Sequence, residues 1–419
     1  MPRLRLAQPL WLAHTPRTLN LPPLDRAVEA DIAIIGGGIT GVSVAWTFAR
    51  AGHRVALVEA ERIAHGSTAA STALLMQESD CDFIELAERF GPRRARRIWQ
   101  LSRTATRRLI TTLDELRIPC GLSECDSIYF ETSPAAARRL RKEFDRRRSA
   151  RLPAGRWLDR AGMLHATGLK AAGGIRTHGN GQVDPYRACL GLAHAALLEG
   201  AALFEHSPVE RIDVGRHDAT VVTRNGRLHA EHVVIATGYA TPFLKRLAAS
   251  FRLMNTYVLA TRRISAPERR AIGLDDVMLW DTSRPYYYAR WTDDGRLLLG
   301  GGDRPYTKGR RRNRSFQPRV NLVRRHFEKL WPSLAGVDHE FAWEGLFAAT
   351  PDGLPYIGEH PDYPRHLFAL GYGGNGMTFG FLAAQLLLGQ KSGRPAADLA
   401  LFGFDRPKSG SKAMRPTAE

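Results

Sequence analysis

The sequence predicts an α/β fold of two interleaved domains, one built on a parallel sheet and the other α+β with a mainly antiparallel sheet. Three observations predict it. An apolar run at 31–35 leads into glycines, a helical stretch and a second apolar run, all within about thirty residues. Glycine-punctuated apolar segments return far along the chain, at 232–238 and 370–379. Between them, 83–116 carries apolar residues at helical spacing, whereas 254–261, 286–291 and 296–300 read as strands, with a turn at Asp293-Asp294-Gly295.

The first unit runs Asp31-Ile32-Ala33-Ile34-Ile35, then Gly36-Gly37-Gly38-Ile39-Thr40-Gly41, then a helix through 42–51 ended by Gly52. A second strand at 54–58 follows, and Glu59 and Ala60 stand at its end. This is the β–α–β unit of a Rossmann-like nucleotide-binding domain. Gly36 permits the tight turn, Gly38 lets the backbone approach a pyrophosphate, and Gly41 lets the helix pack against the strand. The helix N-terminus offers donors and partial positive charge to phosphates, and Ile39 and Thr40, just before it, are candidate cofactor contacts. Glu59, about twenty residues on, is placed to accept hydrogen bonds from ribose hydroxyls, and an acid there disfavours NADP. The unit alone leaves NAD and FAD open.

Later segments decide between them. The stretch GGGITGVSVAWTFARAGHRVALVEAERIAHGSTAAS resembles the start of the D-amino-acid oxidase-like flavoproteins, closest to their glycine oxidase, monomeric sarcosine oxidase and γ-glutamylputrescine oxidoreductase branch. The resemblance recurs over about 10–407 and is loose between 91 and 169. It implies FAD. It also implies that the loop holding Gly66, Ser67, Thr68, Ser71 and Thr72 passes against the pyrophosphate and flavin. Val209 would contact the adenine through its backbone, and Ala236-Thr237-Gly238 would let the chain turn beside the cofactor. Each of these alone reads as an ordinary loop or buried strand. The most telling segment is 343–358 followed by Gly373-Gly374-Asn375-Gly376-Met377-Thr378 and an apolar helix from about 377 to 388. In the family that helix aims its positive end at the pyrimidine side of the flavin, which favours hydride acceptance. The segment 401–407 is similar to the closing motif of sarcosine oxidases.

The expected domains follow. Residues 10–76, 169–241 and 343–407 form a discontinuous FAD-binding domain, and 77–168 with 242–342 form the substrate domain. The polar tail 408–419 is expected to be flexible.

Composition bounds the remaining choices. The 419 residues include 60 Lys and Arg against 42 Asp and Glu, a net charge of +18. Arginine runs stand at 93–97, 146–148 and 310–312. No nucleic-acid module accompanies them, so a solvated basic surface is expected and no nucleic-acid partner. Such a surface is compatible with peripheral contact with an anionic membrane, or with drawing in an anionic substrate. No apolar run reaches eighteen residues, and residues 1–14 lack the apolar stretch of a signal peptide. The four cysteines are scattered, which suits idle thiols in a reducing cytoplasm, and the fourteen histidines show no metal-ligand spacing.

On the substrate side the departures from the family are informative. The carboxylate-binding arginine of glycine and D-amino-acid oxidases matches Phe347. The lysine and arginine of sarcosine oxidases match Thr378 and Met76. With all three charged anchors absent, a simple α-amino acid is disfavoured, because phenylalanine cannot replace a bidentate guanidinium. The positions of covalent flavin attachment match Gly345 and Ala70, so FAD is expected to be noncovalent. A lysine that promotes reaction with oxygen would lie near Leu298, and its loss mildly favours a dehydrogenase. Tyr257, Arg290 and Phe347, with Tyr287 and Tyr288, are the candidate pocket walls.

The resulting expectation is an FAD-dependent oxidoreductase acting on a carbon–nitrogen bond of an amine or N-substituted amino acid. Hydride would pass to flavin, the imine would hydrolyse, and oxygen or a respiratory or other carrier would take the electrons. The alternative is a flavin-binding subunit of a hetero-oligomeric dehydrogenase or electron-transfer assembly without turnover of its own.

Overall fold

The computed structural model describes residues 4–393 and 397–406. Pro407 and the tail 408–419 lie outside the described residues.

Two sheets organise the chain. In the first, the strands Tyr363–Leu370, Arg227–Gly238, Ala27–Ile35, Val55–Val58 and Ala202–Phe204 lie side by side and run parallel. Tyr356–His360 adds an antiparallel edge, and Val209–Val214 with Ala219–Thr223 form an antiparallel extension beside Arg227–Gly238. The central strands are buried on both faces, which is why 32–35 and 233–235 read as unbroken apolar runs rather than alternating ones. The helices Ile39–Arg50, Pro185–Leu198 and Gly376–Lys391 pack together over this sheet. A Cβ on Gly380 would lie 2.6 Å from Thr40 Oγ1, so the two glycine-led helices touch where neither could carry a larger residue.

Among the described residues the second sheet has ten strands. Its path runs Arg5–Leu6, His339–Ala349, Arg252–Thr261, Leu297–Pro305, Tyr287–Trp291, Val277–Asp281, Ser123–Glu131, Gly173–Gln182 and Leu74–Leu75, with Arg156–Leu158 beside Gly173–Gln182. Every pairing is antiparallel except that of Val277–Asp281 with Ser123–Glu131. The strand Gly173–Gln182 therefore belongs to this sheet, and the chain crosses into the parallel layer only after it, not at Leu169 as expected. Leu74–Leu75 likewise belongs here rather than with 10–76.

The segment 242–342, in which only strands were expected, at 254–261, 286–291 and 296–300, also holds the 22-residue helix Gly309–Leu330. Its arginine-rich sequence hid the pattern, but Val320, Val323 and Phe327 sit three and four apart and bury one stripe against Tyr257 and Leu259. The arginine runs are not purely solvated. Arg147 is buried against Glu143, which also accepts the Phe83 and Ile84 amides, and Arg312 is buried against Glu344.

The end of the described chain is pinned by a buried ion pair. Arg406 donates to both carboxylate oxygens of Asp352 at 2.7 and 2.8 Å and also to the Leu354, Pro355 and Phe402 carbonyls. Removing one partner of such a pair strands the other charge. Arg406→Met is therefore expected to lower unfolding stability by about 3–5 kcal/mol in a urea titration.

Candidate active site

The glycine turn is shaped by close backbone approach. Gly36 has φ 110°, and a Cβ there would lie 2.7 Å from the Ala236 carbonyl oxygen. A Cβ on Gly41 would lie 1.8 Å from the Gly36 oxygen. The strand end, the helix start and the Ala236-Thr237-Gly238 turn thus meet at one point. Gly38 caps the helix in an extended conformation, and the Ile39 amide donates to Thr68 Oγ1 at 3.0 Å. Glu59 accepts from the Gly37 amide at 2.6 Å and the Glu61 amide at 2.9 Å, while burial pushes its carboxyl pKa up.

These groups open onto a single cavity of about 2290 Å³. Ligand pockets for one drug-sized molecule are about 300–1,000 Å³, so this one has room for a dinucleotide and a small substrate together. Among the expected cofactor residues, Gly36, Gly38, Ile39, Thr40, Glu59, Ala60, Gly66, Ser67, Thr68, Ser71 and Thr72 line it. So do Val209, Ala236, Thr237, Gly238, Gly373, Gly374, Asn375, Gly376 and Met377. Two do not. Gly41 lies beneath the turn. Thr378 is fully buried, its hydroxyl donating to the Met76 carbonyl at 3.0 Å and lying 3.2 Å from Thr106 Oγ1. The positions matching the two sarcosine-oxidase anchors are thus neighbours, and they are occupied by an internal hydrogen bond.

At the second glycine motif, Gly373 has φ 60° and its amide donates to the Ala348 carbonyl at 3.0 Å. The Gly374 amide donates to the Asp80 carboxylate, and Asn375 Nδ2 donates to the Glu78 carbonyl at 2.8 Å. The residues present fit FAD. Side chains are missing where a pyrophosphate needs backbone, and helix N-termini face the cavity at both motifs. Ala70 and Gly345 face each other, since a Cβ on Gly345 would lie 3.0 Å from Ala70 Cβ. Neither can form a covalent link.

The family model described as FAD dependent oxidoreductase (DAO) matches residues 31–389. The chain belongs to this family. Glycine oxidase of Geobacillus kaustophilus is 28% identical over 394 residues, covering 90% of this chain and 97% of that protein. γ-Glutamylputrescine oxidoreductase of Escherichia coli K12 is 26% identical over 375 residues, covering 87% of this chain and 84% of that one. The crystal structure of the Geobacillus kaustophilus glycine oxidase superposes with a TM-score of 0.76 at 25% identity, covering 91% of this chain and 99% of that one. The protein is an FAD-dependent oxidoreductase.

The substrate walls of this FAD-dependent oxidoreductase differ from the expected set. Phe347, Tyr287 and Tyr288 line the cavity, but Tyr257 and Arg290 do not. Tyr257 is 2% exposed and points to the opposite face of the sheet, toward the helix Gly309–Leu330. Its neighbour Thr256 faces the cavity, because successive strand residues alternate faces. Arg290 is 3% exposed and donates to the Thr72 carbonyl at 2.6 Å, the Val183 carbonyl at 2.6 Å and the Trp291 carbonyl at 3.0 Å. It is a strut behind the Thr72 loop, not a substrate anchor. Leu298, near which the oxygen-promoting lysine was expected, is buried with Val258 and Ala260 and does not line the cavity.

Sequence reasoning missed Asp80, Arg284, Tyr286 and Asp303, all of which line the cavity. Tyr286 Oη donates to the Asp80 carbonyl at 2.6 Å, and the Arg284 guanidinium lies 4.0 Å from the Tyr286 ring centroid. Burial pushes the Asp80 carboxyl up to about 6, against the Gly374 amide and Arg284. Burial and the neighbouring Asp80 push Asp303 up to about 7, against a hydrogen bond from Thr256. No motif flags these residues. The weak available signal is an aspartate directly after the glycine triplet 300–302.

The strut and the misplaced tyrosine separate by mutation. Arg290→Met should release three buried carbonyls, lowering the melting temperature by several degrees and the FAD content of the purified protein. Tyr257→Phe should leave flavin-reduction kinetics within about twofold of the parent, measured by stopped flow.

Proposed function

We propose that this chain holds FAD noncovalently and oxidises a carbon–nitrogen bond of an amine or N-substituted amino acid. The observation that carries the reading is the state of the anchor positions. Phe347 stands in the cavity wall where the family places a carboxylate-binding arginine, and Met76 and Thr378 are tied to each other.

When bound, FAD supplies a hydride acceptor. The chain supplies the rest. Gly36, Gly38, Ile39 and Thr40 would hold the pyrophosphate with backbone amides, and Glu59 the ribose hydroxyls. Val209 would lie along the adenine, and Gly373 to Met377 would present the helix start to the ring end. The helix dipole there stabilises negative charge. Ser67 Oγ donates to the Leu346 carbonyl at 2.6 Å, and Trp343 Nε1 to the Ala70 carbonyl at 2.9 Å, which fixes the loop between the two sheets. The substrate would be oriented by Phe347, Tyr287, Tyr288 and Thr256. Held in this way it meets the cofactor as an intramolecular partner and is screened from bulk water.

The test is anaerobic mixing of the FAD-loaded protein with amines, N-methyl amino acids and D-amino acids. Bleaching of the flavin by an amine or N-substituted compound, faster than by glycine, is the expected result. No bleaching by any compound would favour the flavin-binding subunit. Phe347→Arg should raise the rate of reduction by glycine or sarcosine at least tenfold by restoring a bidentate partner. Acid precipitation should leave the yellow colour in the supernatant.

A further inference from the structure

Asp303 occupies an unusual position. It follows Gly301 and Gly302, both at positive φ, where the pairing of Leu297–Pro305 with Arg252–Thr261 shifts register. The shift turns Asp303 into the cavity on the same side as Thr256. The Thr256 hydroxyl supports the carboxylate and lies 3.1 Å from Tyr288 Oη. The Thr256 methyl would be 3.6 Å from a Cβ on Gly345, the position that family resemblance places against the flavin. Gly300 has no side chain because the Tyr288 ring fills that space, 2.2 Å from where a Cβ would be.

The carboxylate is only partly spent on the protein, through Thr256. Its Oδ1 is shielded from water and has no hydrogen-bond partner among the described residues, and no arginine or lysine offsets its burial. A carboxylate that borders a cavity admitting a small molecule, with one oxygen unpartnered and no cationic side chain beside it, is a receptor for a cationic donor.

We infer that Asp303 receives the substrate's ammonium nitrogen and takes one proton from it, which makes this a site for cationic amines rather than for amino-acid carboxylates. The inference rests on the reading of the chain as an amine oxidoreductase. In the step, one N–H bond of the ammonium breaks and one O–H bond forms on Asp303. The ion pair becomes a neutral amine beside a neutral acid. The nitrogen lone pair so freed is what oxidation of the adjacent carbon requires. Burial suits the task, because a carboxyl with a pKa of about 7 is a far better proton acceptor than an ordinary aspartate.

Other groups that face Asp303 bear on its titration. Tyr287 and Tyr288 are pushed up by burial and stay neutral through the relevant range. Asp80 titrates near 6 and adds a smaller second inflection.

The test is calorimetric titration of the FAD-loaded protein with n-butylamine and, separately, benzoate, between pH 5 and 9. The amine remains an ammonium across this range. Binding should be strongest near pH 8 and weaken as pH falls through about 7, approaching tenfold per unit, and benzoate should bind more weakly than the amine at pH 8. Asp303→Asn, checked for an unchanged FAD content and melting curve, should weaken amine binding about ten- to a hundredfold at pH 8 and remove the inflection near 7. Amine binding in the parent that does not vary between pH 6 and 8, tighter binding of benzoate, or a folded Asp303→Asn that binds the amine as the parent does would overturn the inference. These outcomes do not depend on turnover. If butylamine binds through Asp303 yet no amine bleaches the flavin, the proposed function fails and the ammonium site stands.

Discussion

A Cβ on Gly41 would come within 1.8 Å of the Gly36 oxygen, one on Gly36 within 2.7 Å of the Ala236 oxygen, and one on Gly380 within 2.6 Å of Thr40 Oγ1. These three approaches draw two strand ends and two helix starts, far apart in the sequence, into contact. The second sheet is held to this junction by Trp343 and Ser67, whose hydrogen bonds cross between the loop at 67–71 and the strand His339–Ala349. The cavity exists because the backbone packs that closely. Widening the junction by one methyl group would displace the helix N-termini that face the cofactor.

The same constraint explains what could be read from the sequence. Where backbone must approach backbone only glycine serves, so both motifs announced themselves locally, as did the small residues of the loop at 66–72. The walls did not. Asp80 meets Gly374 across 294 positions, and Arg290 meets Thr72 across 218. Tyr257 failed by a single step of strand parity, since Thr256 holds the place assigned to it. Arg290 lies on a correct strand but spends its guanidinium on carbonyls. Asp303 depends on a register shift after two glycines, which no alternation rule predicts. The helix Gly309–Leu330 was hidden by its own charge, because four arginines open or flank its first turns while only a narrow stripe is apolar.

The charge of the whole molecule does not set the charge met at Asp303. A net charge of +18 would attract anions at long range, yet the cavity lining holds, among its arginines, the carboxylates of Glu59, Asp80 and Asp303, all raised by burial. Distance decides between them. At physiological salt the surface field is screened within about 8 Å, whereas a desolvated carboxylate in contact with its ligand is not. Part of the surplus is structural besides, as Arg147, Arg290, Arg312 and Arg406 are buried on carboxylates or carbonyls. Among the described residues no helix is long and apolar enough to cross a membrane.

One cavity serves two ligands here, a flavin held by backbone and an ammonium held by Asp303. A crystal structure of the FAD-loaded protein soaked with n-butylamine tests it most directly. The expected result is unlinked FAD along the Gly36 and Gly373 motifs, with the amine nitrogen within hydrogen-bond distance of the Asp303 carboxylate. An amine bound elsewhere with Asp303 still unpartnered, or a flavin bonded to a side chain, would contradict it.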